Sequence, residues 1–168
     1  VTPDGRLVAL GASQERFLRG GTRIAAARPE PYRAWDVGSG ERVEEASVVS
    51  PEWSGALLAP AGRLIALART GNGGAAVCDV RTGRRQELVD AGAAWPLAFS
   101  PDGERVALAE PADLSAAKEN AGVLVYDART GKRVAVAERS AGEVFRAAAF
   151  SPDGRLVAAP GADALHVW

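Results

Sequence analysis

The chain has 168 residues and nearly balanced charge, 20 Lys+Arg against 21 Asp+Glu, for a net charge of −1. That length suggests one domain, and the balance argues against a general nucleic-acid or anionic-membrane binder, which carries a clear basic excess. Apolar residues make up 47%, enough to build a core, while a single cysteine, Cys78, and a single histidine, His166, exclude an intrachain disulfide and any two-histidine or multi-cysteine metal centre.

In chain order, the first recognisable unit is Thr2-Pro3-Asp4-Gly5-Arg6-Leu7-Val8-Ala9, which resembles the tail of a motif seen whole further on. A long segment from Leu10 to Ala34 separates it from a second unit, Trp35-Asp36-Val37-Gly38-Ser39-Gly40. The first unit returns weakly as Leu58-Ala59-Pro60-Ala61-Gly62-Arg63-Leu64-Ile65-Ala66, and the second follows as Cys78-Asp79-Val80-Arg81-Thr82-Gly83. Full copies come next: Phe99-Ser100-Pro101-Asp102-Gly103-Glu104-Arg105-Val106-Ala107, then Tyr126-Asp127-Ala128-Arg129-Thr130-Gly131. The last copy is Phe150-Ser151-Pro152-Asp153-Gly154-Arg155-Leu156-Val157-Ala158, and Leu165-His166-Val167-Trp168 enters a further second unit. The turn glycines at 5, 62, 103 and 154 are 57, 41 and 51 residues apart, so insertions fall between the two units. A period in the forties fits a four-stranded propeller blade.

Each unit has a local physical reading. In Ser-Pro-Asp-Gly, proline presets the first central position of a type I turn, Asp tolerates the second and Gly takes the left-handed position. Asp4, Gly5, Gly62, Asp102, Gly103, Asp153 and Gly154 are therefore turn formers between two antiparallel strands. Asp36, Asp79 and Asp127, each before x-x-[Ser/Thr]-Gly, accept hydrogen bonds from their own turns rather than forming a cation site. The pattern predicts two buried inner strands per repeat, an intermediate third ending in the aromatic-Asp pair, and a polar outer fourth. Charges on that last strand, as in Arg84-Arg85-Gln86-Glu87, suit an edge that must resist pairing.

These residues resemble the WD40-like β-propeller family, through the repeated Phe-Ser-Pro-Asp-Gly-Arg-Leu-Val-Ala and Trp-Asp-x-x-Ser-Gly, and the resemblance covers essentially the whole chain. It implies an all-β fold: a partial β-propeller of about four blades of four-stranded antiparallel sheet, a fragment of a larger ring, with repeats near 1–46, 47–91, 92–142 and 143–168. The family's Gly-His pair is absent between blades and Cys78 replaces an aromatic, so the looser bacterial-type repeats fit better. An excess of Arg over Lys, 18 to 2, suits a GC-rich bacterial genome.

Two insertions join second and third strands and so share one face of the ring. The first carries Arg16, Arg19, Arg23, Arg28 and Arg33, a basic loop suited to an acidic partner or, more simply, a solvated loop. The second runs from Glu110 to Gly122, where Asp113 caps a short helical turn through Asn120 and Gly122 ends it, with Lys118 beside them. Gly71-Asn72-Gly73-Gly74 lacks the Lys-Ser/Thr of a phosphate loop. His166 and Cys78 read as packed residues, and Trp53 and Trp95 as blade-junction residues.

The resemblance thus implies a non-catalytic protein–protein interaction scaffold with no cofactor and no metal, binding protein partners through one face, with no nucleic-acid or membrane contact. The alternatives are part of a lactonase- or quinoprotein-like propeller enzyme, or the sensory propeller of a multidomain bacterial regulator. No apolar run approaches the roughly 20 residues of a membrane span, and no signal peptide starts the chain; the compartment is left unassigned, with the cytoplasm favoured because nothing in the segment indicates export.

Overall fold

A computed structural model describes residues 7–12, 30–36, 39, 42–43, 53–69, 74–79, 82–110, 121–139 and 143–168. They form four antiparallel sheets and, among the described residues, no helix. The first sheet holds β1 (Leu7–Ala12), β2 (Glu30–Asp36) and β3 (Arg42–Val43) in that order. The second holds β4 (Trp53–Leu58), β5 (Leu64–Arg69), β6 (Ala75–Asp79) and β7 (Arg85–Leu88). The third holds β8 (Trp95–Phe99), β9 (Arg105–Ala109), β10 (Ala121–Asp127) and β11 (Arg133–Glu138). The fourth holds β12 (Ala149–Phe150), β13 (Val157–Pro160) and β14 (Leu165–Val167). Every sheet is a meander whose spatial order follows the chain, because each connection is a turn or loop between adjacent antiparallel strands.

The Ser-Pro-Asp-Gly turns explain why the strands begin and end where they do. The Gly103 amide donates to the Ser100 carbonyl at 2.9 Å, and Gly103 has φ 74°, the left-handed region where a side chain is strained. Gly154 and Gly62 repeat this with amide donations to Ser151 and Ala59, so the turn closes even where the second sheet's copy has lost its Ser and Asp. At the other hairpin, the Gly131 amide donates to the Asp127 carbonyl, closing a five-residue turn.

The sheets stack face to face in chain order. The strands that open each sheet converge: β4 packs against β1, β8 against β4 and β12 against β8. The second–third junction buries Ala66, Ala75 and Val77 of one sheet against Phe99, Val106 and Leu108 of the next. The third–fourth junction buries Ala107, Val123 and Val125 against Phe145, Val157 and Ala159. Ile65, Leu67, Ala76 and Cys78 form the opposite face of the second sheet.

Burial across a sheet corrects the sequence reading. The second and third strands, β9 and β10, are the buried pair, whereas the inner strand β8 is only half-buried for most of its length and β11 is mostly exposed. The middle strands are sandwiched between two neighbouring sheet faces; the inner strand has neighbours mainly in other inner strands. Gly122 is a second correction. It lies inside β10 rather than at the end of a helical turn, and a side chain there would collide with the Phe145 ring, Cε2 lying 2.5 Å from an added Cβ.

Candidate interaction surface

In the second and third sheets the meander puts the first-to-second and third-to-fourth turns on one face of the stack, and the second-to-third connection on the other. Arg16, Arg19, Arg23, Arg28, Asp113 and Lys118 lie outside the described residues, as do the turn formers Asp4 and Gly5. Arg33 sits within β2, paired with Leu10, and so belongs to a strand rather than to the loop in which the sequence placed it. Asp36 ends the same strand.

On the turn face, the recurring carboxylates are bound to their own loops. Asp127 accepts from the Arg129 and Thr130 amides at 3.0 and 2.7 Å and from the Thr130 hydroxyl at 2.9 Å. The Thr130 amide is the main reason its carboxyl is held below the usual carboxylate range. Asp79 accepts from the Thr82 amide and from the Arg63 guanidinium, at 3.0 and 2.8 Å. Asp102 accepts from the Ser100 hydroxyl and the Glu104 amide, and the Ser100 hydroxyl is the chief cause of its lowered pKa. Asp153 has the same two partners in Ser151 and Arg155, with the same direction of shift and the Ser151 hydroxyl as chief cause.

Between the second and third sheets, the turns of Asp79, Asp102 and Asp127 border a groove of 530 Å³. Its rim carries Arg63, Arg84 and Arg129 alternating with Asp79, Asp102 and Glu104. Arg63 is held by Asp79, whereas the guanidinium groups of Arg84 and Arg129 have no ion-pair partner among the described residues. Sequence reading missed this groove; its only trace is the arginine that follows or sits within each hairpin turn.

The chemically versatile side chains are engaged in packing. His166 Nε2 is 2.8 Å from Glu143 Oε1, and the imidazole stacks on Trp168 with centroids 5.5 Å apart, while Phe145 meets both rings edge-on. This cluster lies at the third–fourth junction. Cys78 is fully buried and its thiol is pushed up to about 11, chiefly by burial. Among the described residues there is no group of three or more His, Cys, Asp or Glu that could hold a metal ion. Nor is any described helix long and apolar enough to cross a membrane.

No family model matches the chain, and no curated protein matches it. Solved structures do. TolB from Acinetobacter baumannii superposes with a TM-score of 0.59 at 19% identity, over 94% of this chain and 35% of that one. The computationally designed Ika4 protein gives 0.53 at 17% identity, over 82% of this chain and 78% of that one. Pyrococcus horikoshii acylaminoacyl peptidase gives 0.54 at 15% identity, over 82% of this chain and 26% of that one. This chain thus spans about a third of the TolB chain that it matches. At these identities the likeness is one of fold, and with four radially packed antiparallel meanders it makes the chain a partial β-propeller.

Proposed function

We propose that this chain is part of a non-catalytic interaction scaffold of the WD40-like kind, which offers loops and grooves on a rigid stack of sheets. The observation that carries this reading is the use to which the reactive side chains are put. Asp79, Asp102, Asp127 and Asp153 serve their turns, His166 is packed against Glu143 and Trp168, and Cys78 is buried. A general acid, base or nucleophile must instead be free to meet a substrate. The aromatic-Asp-x-x-[Ser/Thr]-Gly unit, with Asp127 capping its own turn, supports the WD40-like branch.

A protein partner fits the surfaces described. The arginines of segment 13–29 offer one basic contact region, and the groove with Arg84 and Arg129, whose guanidiniums have no ion-pair partner among the described residues, offers another. Guanidinium groups bind carboxylates bidentately, so an acidic segment of the partner is the favoured contact.

The test is the double variant Arg16→Glu, Arg19→Glu in parallel with Arg84→Glu, Arg129→Glu. At least one pair weakens partner binding about tenfold or more while circular dichroism and melting stay unchanged, since truncated anchors typically cost about 1–4 kcal/mol. Loss of secondary structure on either substitution contradicts the reading. Calcium- or quinone-dependent turnover by the natural protein would instead favour a propeller enzyme, and a signalling domain on the same polypeptide would favour a sensory propeller.

A further inference from the structure

Arg63 and Glu104 occupy the same place in two successive repeats. Each follows the glycine of its first turn, and each precedes the residue that faces the hairpin aspartate across the sheet: Leu64 faces Asp79, and Arg105 faces Asp127. Arg6, Arg63 and Arg155 follow that glycine in the other three repeats, so the third repeat alone inverts the charge.

The inversion changes what the aspartate meets. In the second sheet Asp79 divides its oxygens: Oδ1 accepts the Thr82 amide of its own turn, and Oδ2 accepts Arg63 Nε at 2.8 Å. In the third, Asp127 takes every turn donor on Oδ1, and its Oδ2 accepts nothing among the described residues. Neither Asp127 nor Glu104 has an ion-pair partner among them. A carboxylate at Arg63's place repels Asp127 instead of holding it, and a cation between the two reverses that repulsion. Both carboxylates line the 530 Å³ groove, a size suited to a short peptide segment, and Leu64 and Val77 line it too, an apolar wall for an aliphatic stem. Arg84 and Arg129 line the same groove, so its open charges are of both signs.

We propose that the groove binds an extended segment of a protein partner in which an arginine lies between acidic residues. The partner's guanidinium meets Asp127 Oδ2 and Glu104 as Arg63 meets Asp79, and its acidic neighbours meet Arg84 and Arg129. An arginine fits better than a lysine, because its planar fork can serve two carboxylates at once. This inference rests on the reading of the groove as a contact for an acidic partner segment, and adds to it the cation that the segment must carry.

The experiment titrates the natural full-length protein with two synthetic peptides, acetyl-Asp-Ser-Arg-Ser-Asp-amide and the same peptide with citrulline, the neutral isostere, in place of arginine. Amide chemical shifts are followed at low ionic strength. The arginine peptide binds about fivefold tighter or more, although it is the less acidic of the two. Glu104→Arg, which places an Arg63-like partner beside Asp127 within the chain, abolishes that preference without lowering the melting temperature. Glu104→Gln, which keeps the side chain's shape, reduces it. A preference unchanged in either variant overturns the proposal. Equal or tighter binding of the citrulline peptide also overturns it; if both peptides are then lost on Arg84→Glu, Arg129→Glu, the acidic contact stands and only the arginine site falls. If neither peptide binds, the inference falls together with the groove as a contact.

Discussion

Asp127 shows how much of this repeat rests on single polar atoms: one carboxylate oxygen closes its hairpin by accepting two amides and a hydroxyl. Its pKa and that of Asp102 are depressed in the folded state by these donors. The stabilisation is therefore complete above the unfolded carboxylate value of about 4 and disappears as pH falls through the folded values. Asp127→Asn should be less stable than the parent at pH 7 by about 1 kcal/mol, an exposed-turn magnitude, and the gap should close as pH falls below about 4. Urea midpoints across that range check it; a gap constant down to pH ~2 contradicts the charge-assisted account. The neighbouring Tyr126 gives the opposite expectation. Its ring is fully buried and its hydroxyl, pushed up to about 12 by burial, has no hydrogen-bond partner among the described residues. Tyr126→Phe keeps the packing and removes a desolvated polar atom, so its melting temperature should equal or exceed the parent's. Tyr126→Ala should lose about 3–5 kcal/mol, the usual cost of emptying an aromatic core site.

The hairpin elements look alike in sequence and differ in what surrounds them. Gly83 and Gly131 close equivalent turns with φ 69° and 70°. A side chain on Gly83 would meet nothing among the described residues, whereas one on Gly131 would strike the Glu87 carbonyl and the Gln86 side chain of the second sheet. The Gly131 carbonyl also accepts the Val89 amide at 2.9 Å, so the turn is pinned across the junction. Gly83→Ala should therefore cost about 1–2 kcal/mol, the left-handed penalty alone. Gly131→Ala should cost distinctly more, because flexible side chains can yield and a carbonyl cannot. Equal losses in thermal melts would mean that the third sheet's turn can withdraw from the second sheet freely.

Across the whole molecule, each sheet touches its sequence neighbours, so stability is a sum of sheet terms and junction terms, as in other repeat architectures. Phe145 fills the third–fourth junction at 1% exposure, and the Arg105 guanidinium donates to the Gly154 carbonyl at 3.1 Å across the same boundary. Phe145→Ala should accelerate amide exchange in β10 and β13 while β5 and β6 keep their protection. Uniform acceleration would show instead that the stack opens as one cooperative unit.

The sequence by itself determined the repeat, its turns and its strand order. These follow from local chemistry: proline and glycine dictate φ at fixed positions, and Asp competes for its own turn amides, whatever lies beyond. Among the described residues, the hairpins at Ser100–Gly103 and Ser151–Gly154 stand where the text of the chain puts them, and the degenerate Ala59–Gly62 copy closes as well. Burial was misread by one strand, because apolar runs reveal that a strand is covered but not from which side. The role of Gly122 was hidden for the same reason: its constraint is the Phe145 ring, 23 residues away in sequence. The turn-face groove was equally invisible. It exists through the placement of one sheet against another, and that placement is set by long-range packing, which only the tertiary structure decides.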